Sequence, residues 1–244
     1  MPRRNGQLRV GTSGWSYNHW KGSFYPDDVS AVGRLAYYAG RFDTVEVNTT
    51  FYGLPKPRTI QAWRDSVPSD FCFAVKGSRF VTHMRKLADA GDEVTTLVER
   101  LSPLGGTLGP LLWQLPPFME RDIGLLDSFL GVLPVSLRHA IEFRNETWLE
   151  RDVFDVLGSH NAALVNVSGD MLRQDLTRTA DFVYVRFHGT TRYHGSYSET
   201  NLKPWVAFLT EQLEDGRDCY AYFNNDAEGN APNDALRLRG MVRT

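Results

Sequence analysis

Three short stretches place charge inside what otherwise reads as buried strand. "HAIEFRN" (139–145) alternates Ile141 and Phe143 with Glu142 and Arg144, "TVEVN" (44–48) alternates Val45 and Val47 with Glu46 and Asn48, and "VYVRFHG" (183–189) alternates Val185 and Phe187 with Arg186 and His188. On extended backbone, side chains two residues apart share a face. Each polar pair therefore projects together, and its apolar neighbours project the other way. An ion pair enclosed in a core is costly unless its geometry is good and it is hydrogen-bonded. Lys76, Gln114, Asn224 and Asn225 join the set from other strand ends.

The residue types narrow the chemistry. Lys76, Arg144 and Arg186 are cations, set against the carboxylates Glu46 and Glu142. Guanidinium forks bind phosphate or carboxylate at two points, while Asn48, Gln114, Asn224 and Asn225 suit hydroxyls. Glu46 and Glu142 can act as acid and base if burial raises one pKa, and His188 can transfer a proton. The pattern is that of a site for a small anionic metabolite, and no organic cofactor motif is present. A divalent ion on Glu142, His188 and Asp226 is the less favoured alternative, because no dense carboxylate cluster or HExxH spacing occurs. A plainer reading also exists, in which the polar groups only bond one another inside a barrel.

Such residues need strands to carry them. Eight β-type runs recur, at 8–14, 44–52, 71–77, 109–117, 139–145, 162–170, 182–189 and 218–226. Amphipathic stripes lie between them: Ile123, Leu126, Leu130 and Leu133 in one interval, and Leu202, Trp205, Phe208, Leu209 and Leu213 in another. Thr147 and Glu150 have the spacing of a capping box, which predicts a helix starting directly after the fifth run. The 171–181 interval allows a helix of one or two turns, and a last helix follows at 235–242. The GxGxxG of a doubly wound sheet is missing after the first run. These elements predict an α/β protein, a single (β/α)8 TIM-type barrel with parallel strands, over 1–244 as one domain. In such barrels chemistry sits at the carboxyl ends of the strands. In an eight-strand ring the second and fifth strands are roughly opposite, so Glu46 and Glu142 do not read as a close glycosidase pair. Trp15, Trp20, Phe51 and Tyr52 lie just past the first two runs, either as a stacking rim or as loop packing.

Composition excludes several classes. A formal charge of −2 without a basic region argues against contacts along a nucleic-acid duplex. No apolar run is long enough for a membrane span, and the start "MPRRNGQLRVGTSGW" lacks a signal-peptide core. Cys72 and Cys219 read as buried reduced thiols, so a cytoplasmic location is expected.

Six ordered motifs, "EVNTTFY", "FAVKGSRFVTH", "LLWQLPP", "EFRNETW", "YVRFHG" and "YFNNDAEG", resemble the DUF72, or YecE-like, family across almost the whole chain. The resemblance implies a TIM-type barrel, and it implies motif positions at Glu46, Asn48, Tyr52, Lys76, Gln114, Glu142, Arg144, Trp148, Arg186, His188, Asn224, Asn225 and Asp226. It implies no settled activity. The grouping of the family with sugar isomerases is an analogy of fold. The loop "HGTTRYHGSYSETNLKPW" departs from the family pattern, with His194 and Gly195 in place of a tryptophan before the tyrosines. The function expected is an acid/base isomerase or hydrolase with Glu46, Glu142 and His188 catalytic and Asn48, Tyr52, Lys76, Gln114, Arg144, Trp148, Arg186, Asn224 and Asn225 binding substrate. The alternative is a non-catalytic barrel that recognises a metabolite or a nucleic-acid end.

Overall fold

A computed structural model describes residues 5–169, 176–191 and 193–242. Its strands are β1 (Leu8–Thr12), β2 (Thr44–Val47), β3 (Cys72–Lys76), β4 (Leu108–Gln114), β5 (His139–Glu142), β6 (Ala163–Ser168), β7 (Phe182–Phe187) and β8 (Asp218–Phe223). The helices are α1 (Arg34–Ala39), α2 (Pro57–Asp65), α3 (Gly91–Leu101), α4 (Ile123–Gly131), α5 (Arg151–Ser159), α6 (Glu199–Glu214) and α7 (Ala231–Met241). Strand order is β1-β8-β7-β6-β5-β4-β3-β2, and Ser13, just past β1, bridges Glu46 of β2 in parallel. Eight parallel strands thus form a nearly closed (β/α)8 barrel, as the alternation of runs and helices requires.

Two compact units make up the chain. The first comprises Met1–Glu46, Asn166–Leu176 and Asp181–Thr244. Here the apolar residues that alternate with the polar ones meet a helix: Phe187 stacks on Phe223 at 4.3 Å between ring centres and meets Trp205 of α6 edge-on at 5.1 Å. The stripe Leu202, Trp205, Phe208, Leu209 and Leu213 is buried along α6. Ser198 starts this helix with a reciprocal capping box to Asn201.

The second unit comprises Val47–Val165 and Thr177–Ala180. Trp113 of β4 packs edge-on against Phe129 of α4 at 5.3 Å. Gly77, which follows the last residue of β3, makes room for it: a Cβ there would enter the Trp113 ring. Leu126 and Leu130 are buried along α4 as the stripe predicts, and Asp122 caps the helix by accepting from Leu125 N at 2.9 Å.

Two expectations need correction. The strands end earlier than the apolar runs do, so Asn48, Arg144, His188 and Asn224–Asp226 stand in the first residues beyond β2, β5, β7 and β8. The Thr147/Glu150 box does not form. Asn145 accepts from Thr147 N at 3.0 Å and opens one 3-10 turn, Glu146–Trp148. The Thr147 hydroxyl bonds Asn145 and accepts from Arg121 N, and α5 begins only at Arg151 with no side-chain cap. The short helix expected within 171–181 falls largely outside the described residues.

Candidate functional site

In the first unit the polar set is built around Glu46. Its Oε1 accepts from Ser13 Oγ at 2.6 Å and from Arg186 Nη2 at 2.8 Å, and its Oε2 accepts from the Tyr184 hydroxyl at 2.7 Å. Glu46 is fully buried and Arg186 is 1% exposed. Burial pushes the Glu46 carboxyl up, but Arg186 and the hydrogen bonds from Ser13 and Tyr184 outweigh it and hold the group below the usual carboxylate range. Burial, the Glu46 charge and the hydrogen bond to it push Tyr184 well above the normal phenol value, so Tyr184 stays a donor. Sequence reasoning missed Tyr184. Tyr184 has the same strand parity as Arg186, and that signal could have found it.

Beyond β7, His188 is buried, and its Nδ1 lies 3.2 Å from Asn224 Nδ2. An amide nitrogen donates, so Nδ1 accepts and a neutral ring carries its proton on Nε2. The next residue, Gly189, has φ +90°, and a Cβ there would strike the His194 backbone. The amide nitrogen of Asn225 is taken up within the protein, while its Oδ1 is buried with no hydrogen-bond partner among the described residues. The nitrogen donates to Gly195 O at 3.0 Å and to Asp234 Oδ2 at 2.7 Å.

Asp234 of α7, another residue that sequence reasoning missed, is fully buried. It also accepts from Tyr197 N at 2.9 Å, Ser196 Oγ at 2.7 Å and Arg237 Nη1 at 2.5 Å. This one carboxylate therefore ties the 195–197 loop to the end of β8 and to α7. No periodicity or local motif in the sequence marks it.

The loop after β1 reaches the end of β8. Asp226 Oδ1 accepts from Trp20 Nε1 at 2.6 Å, and Oδ2 pairs with His19 Nε2 at 2.9 Å. Burial raises the Asp226 pKa against the lowering effects of Trp20 and His19. Trp20 is fully buried among Tyr17, Phe24 and Tyr25, so it serves packing. Tyr17 donates to Ser13 O at 2.7 Å.

The second unit carries the remaining residues. Glu142 Oε1 pairs with Arg144 Nη2, and both side chains are buried. Lys76 Nζ donates to Gln114 Oε1 at 2.7 Å and lies 4.1 Å from the centre of the Phe51 ring. Phe51 in turn meets His83 edge-on, and burial together with Lys76 and Arg79 lowers the His83 pKa. Asn48 Oδ1 is buried with no hydrogen-bond partner among the described residues. Tyr52 is exposed. Trp148 is fully buried, stacked on Phe143 at 4.8 Å and donating to Met119 O at 2.7 Å, so its surroundings are those of a packing residue. Among the described residues, no three of His, Cys, Asp or Glu are grouped to hold a metal ion. No helix among them is long and apolar enough to cross a membrane.

Known proteins share this arrangement of elements. A DUF72 family protein of Thermotoga maritima has a crystal structure that superposes with a TM-score of 0.88 at 28% identity, covering 97% of this chain and 99% of that one. A second DUF72 protein, from Enterococcus faecalis, superposes at 0.83 with 19% identity over 97% and 95% of the two chains, a likeness of fold. UPF0759 protein YecE of Escherichia coli is 34% identical over 139 residues, 57% of this chain and about half (48%) of YecE. UPF0759 protein YunF of Bacillus subtilis is 24% identical over 96% of this chain and 94% of its own length. Residues 9–244 match the family described as protein of unknown function DUF72, and the chain belongs to that family.

Proposed function

We propose that the protein is an enzyme that binds a small anionic metabolite, phosphorylated or carboxylated and sugar-like, at the carboxyl ends of its barrel strands. It moves a proton on that metabolite, in isomerisation or hydrolysis. The observation that carries this reading is Arg186, a buried guanidinium fixed by Glu46, with His188 two residues further on. A guanidinium oriented in advance binds an oxyanion without first losing rotamer freedom. Asn224, which meets His188, adds a group that recognises hydroxyls, and the second unit carries cations of its own, Lys76 and Arg144, at the ends of β3 and β5. Family and fold support the placement only in the general sense that barrel enzymes work at this end of their strands.

Roles follow from surroundings. Glu46 holds three donors and a low pKa, which suits fixing Arg186 rather than exchanging a proton. His188, with its tautomer set by Asn224, is the proton-transfer candidate nearest Arg186 in sequence, and Glu142 is a second. The two buried thiols, Cys72 and Cys219, neither of them in a disulfide, fit a reducing compartment such as the cytoplasm.

A thermal-shift panel of sugar phosphates, organic acids, nucleotides and divalent ions, with and without chelator, tests the reading. Sugar phosphates or organic acids should raise the melting temperature, and Glu142→Gln should keep that shift while abolishing turnover. A shift without turnover of any compound would favour a non-catalytic binder. If no compound raises the melting temperature while Glu142→Gln and Arg144→Ala lower it sharply, the polar groups are an internal network and the proposal fails.

A further inference from the structure

His19 differs from the other proton-transfer candidates in being both oriented and accessible. Its side chain is 47% exposed, whereas the Asp226 side chain beside it is 11% exposed. His19 Nε2 lies 2.9 Å from Asp226 Oδ2 and 3.0 Å from the Asp226 backbone oxygen. A carbonyl oxygen only accepts, so Nε2 must carry the proton. In the neutral ring the lone pair then resides on Nδ1, which has no partner among the described residues. Asp226 is itself held: Trp20, fully buried, donates to its other oxygen at 2.6 Å. A base set by a carboxylate, with that carboxylate set by a third group, is the arrangement that general-base catalysis needs.

Position connects the pair to the anion site. Tyr17 packs its ring 5.5 Å from the His19 ring and donates its hydroxyl to Ser13 O at 2.7 Å, while the Ser13 hydroxyl donates to Glu46. Tyr17 is close enough to Asp226, Glu46 and Arg186 to feel all three charges, and burial with the two carboxylates pushes its pKa up to about 12. Asp226 also directly follows Asn224 and Asn225 at the end of β8.

We propose that His19, oriented by Asp226, is the group that takes a proton from the ligand bound at Arg186, through Nδ1. Asp226 is then a positioning residue, and Trp20 fixes Asp226. The inference rests on the anion-site reading above and adds a residue to it. A neutral His19 accepts the substrate proton on Nδ1, becomes imidazolium shared with Asp226, and returns the proton from Nδ1 to the product. No other reactant is needed.

The test uses nitrogen NMR of the imidazole rings of the full chain, assigned with His19→Gln, and inorganic phosphate as the probe. Three results are expected: the Nε2–H tautomer for His19, loss of that preference in Asp226→Asn, and movement of the Nδ1 resonance as phosphate saturates the protein. His19→Gln should keep the thermal shift given by phosphate. An Nδ1–H tautomer in the unmodified protein overturns the proposal. So does a thermal shift by phosphate that leaves His19 Nδ1 unmoved, and in that case the anion site survives. If phosphate gives no thermal shift and leaves Nδ1 unmoved, both readings fall.

Discussion

Arg186 Nη2 donates to Glu46 Oε1 across 2.8 Å, with Glu46 fully buried and Arg186 1% exposed. Removing one partner of a buried pair leaves the other as an uncompensated charge, at about 3–5 kcal/mol. Glu46→Gln is therefore expected to lower unfolding stability by that order. A double variant that makes both positions apolar should recover part of the loss. Denaturant titration of the three proteins checks this, and an unchanged midpoint for Glu46→Gln would exclude the pair as a stabilising element.

The same carboxylate sets a pH dependence. Its folded pKa lies below its ordinary value of 4.5, so its contribution is complete above about that pH. As pH falls through the folded value, protonation removes it. Melting temperatures of the wild-type protein should drop with acid below about pH 4.5, and those of Glu46→Gln should drop less steeply over the same range.

Asp226 has the opposite sign. Burial raises its folded pKa above 3.8, so its effect on stability is most favourable below that value and is lost as pH rises through the folded pKa. Asp226→Asn is expected to melt at or above the wild-type temperature near neutrality, with the gap closing as pH falls to about 3.8. A large loss of stability at neutral pH would refute this account of Asp226.

Asp234 accepts hydrogen bonds from Asn225, Ser196, Tyr197 and Arg237. Asp234→Ala should destabilise by about 3 kcal/mol or more, because several donors lose a buried acceptor together. Hydrogen exchange at the Tyr197 amide reports it directly: protection should fall there more than at Val10 or Val185 in the strands.

Gly77→Ala should lose about 1–3 kcal/mol, since the added methyl enters space held by the Trp113 ring. Gly53→Ala, where nothing lies within 4 Å, is the matched control and should be near neutral.

The eight runs and the apolar stripes were readable because both obey a short period, two for strands and 3.6 for helices. Parity exposed Arg186 because a charge among valines is conspicuous. Tyr184, at the same parity, was overlooked because tyrosine also suits a core. The capping box at Thr147 does not form because Asn145, two residues nearer the strand, takes the Thr147 amide. His19 and Asp234 are set mainly by distant partners: 207 residues away in the first case, and in the second 9 to 38 residues away for three of the four, with only Arg237 close by at three residues. Only the closed fold brings them together.

The placement of Asp234 on α7 also bears on the order in which the molecule can be assembled. The 195–197 loop lies about forty residues before its anchoring carboxylate, so it cannot be organised while the chain is being made only as far as β8. Non-local contacts of this kind form late. The segment beside His188 should therefore be among the last parts of the first unit to become ordered, after α7 has docked.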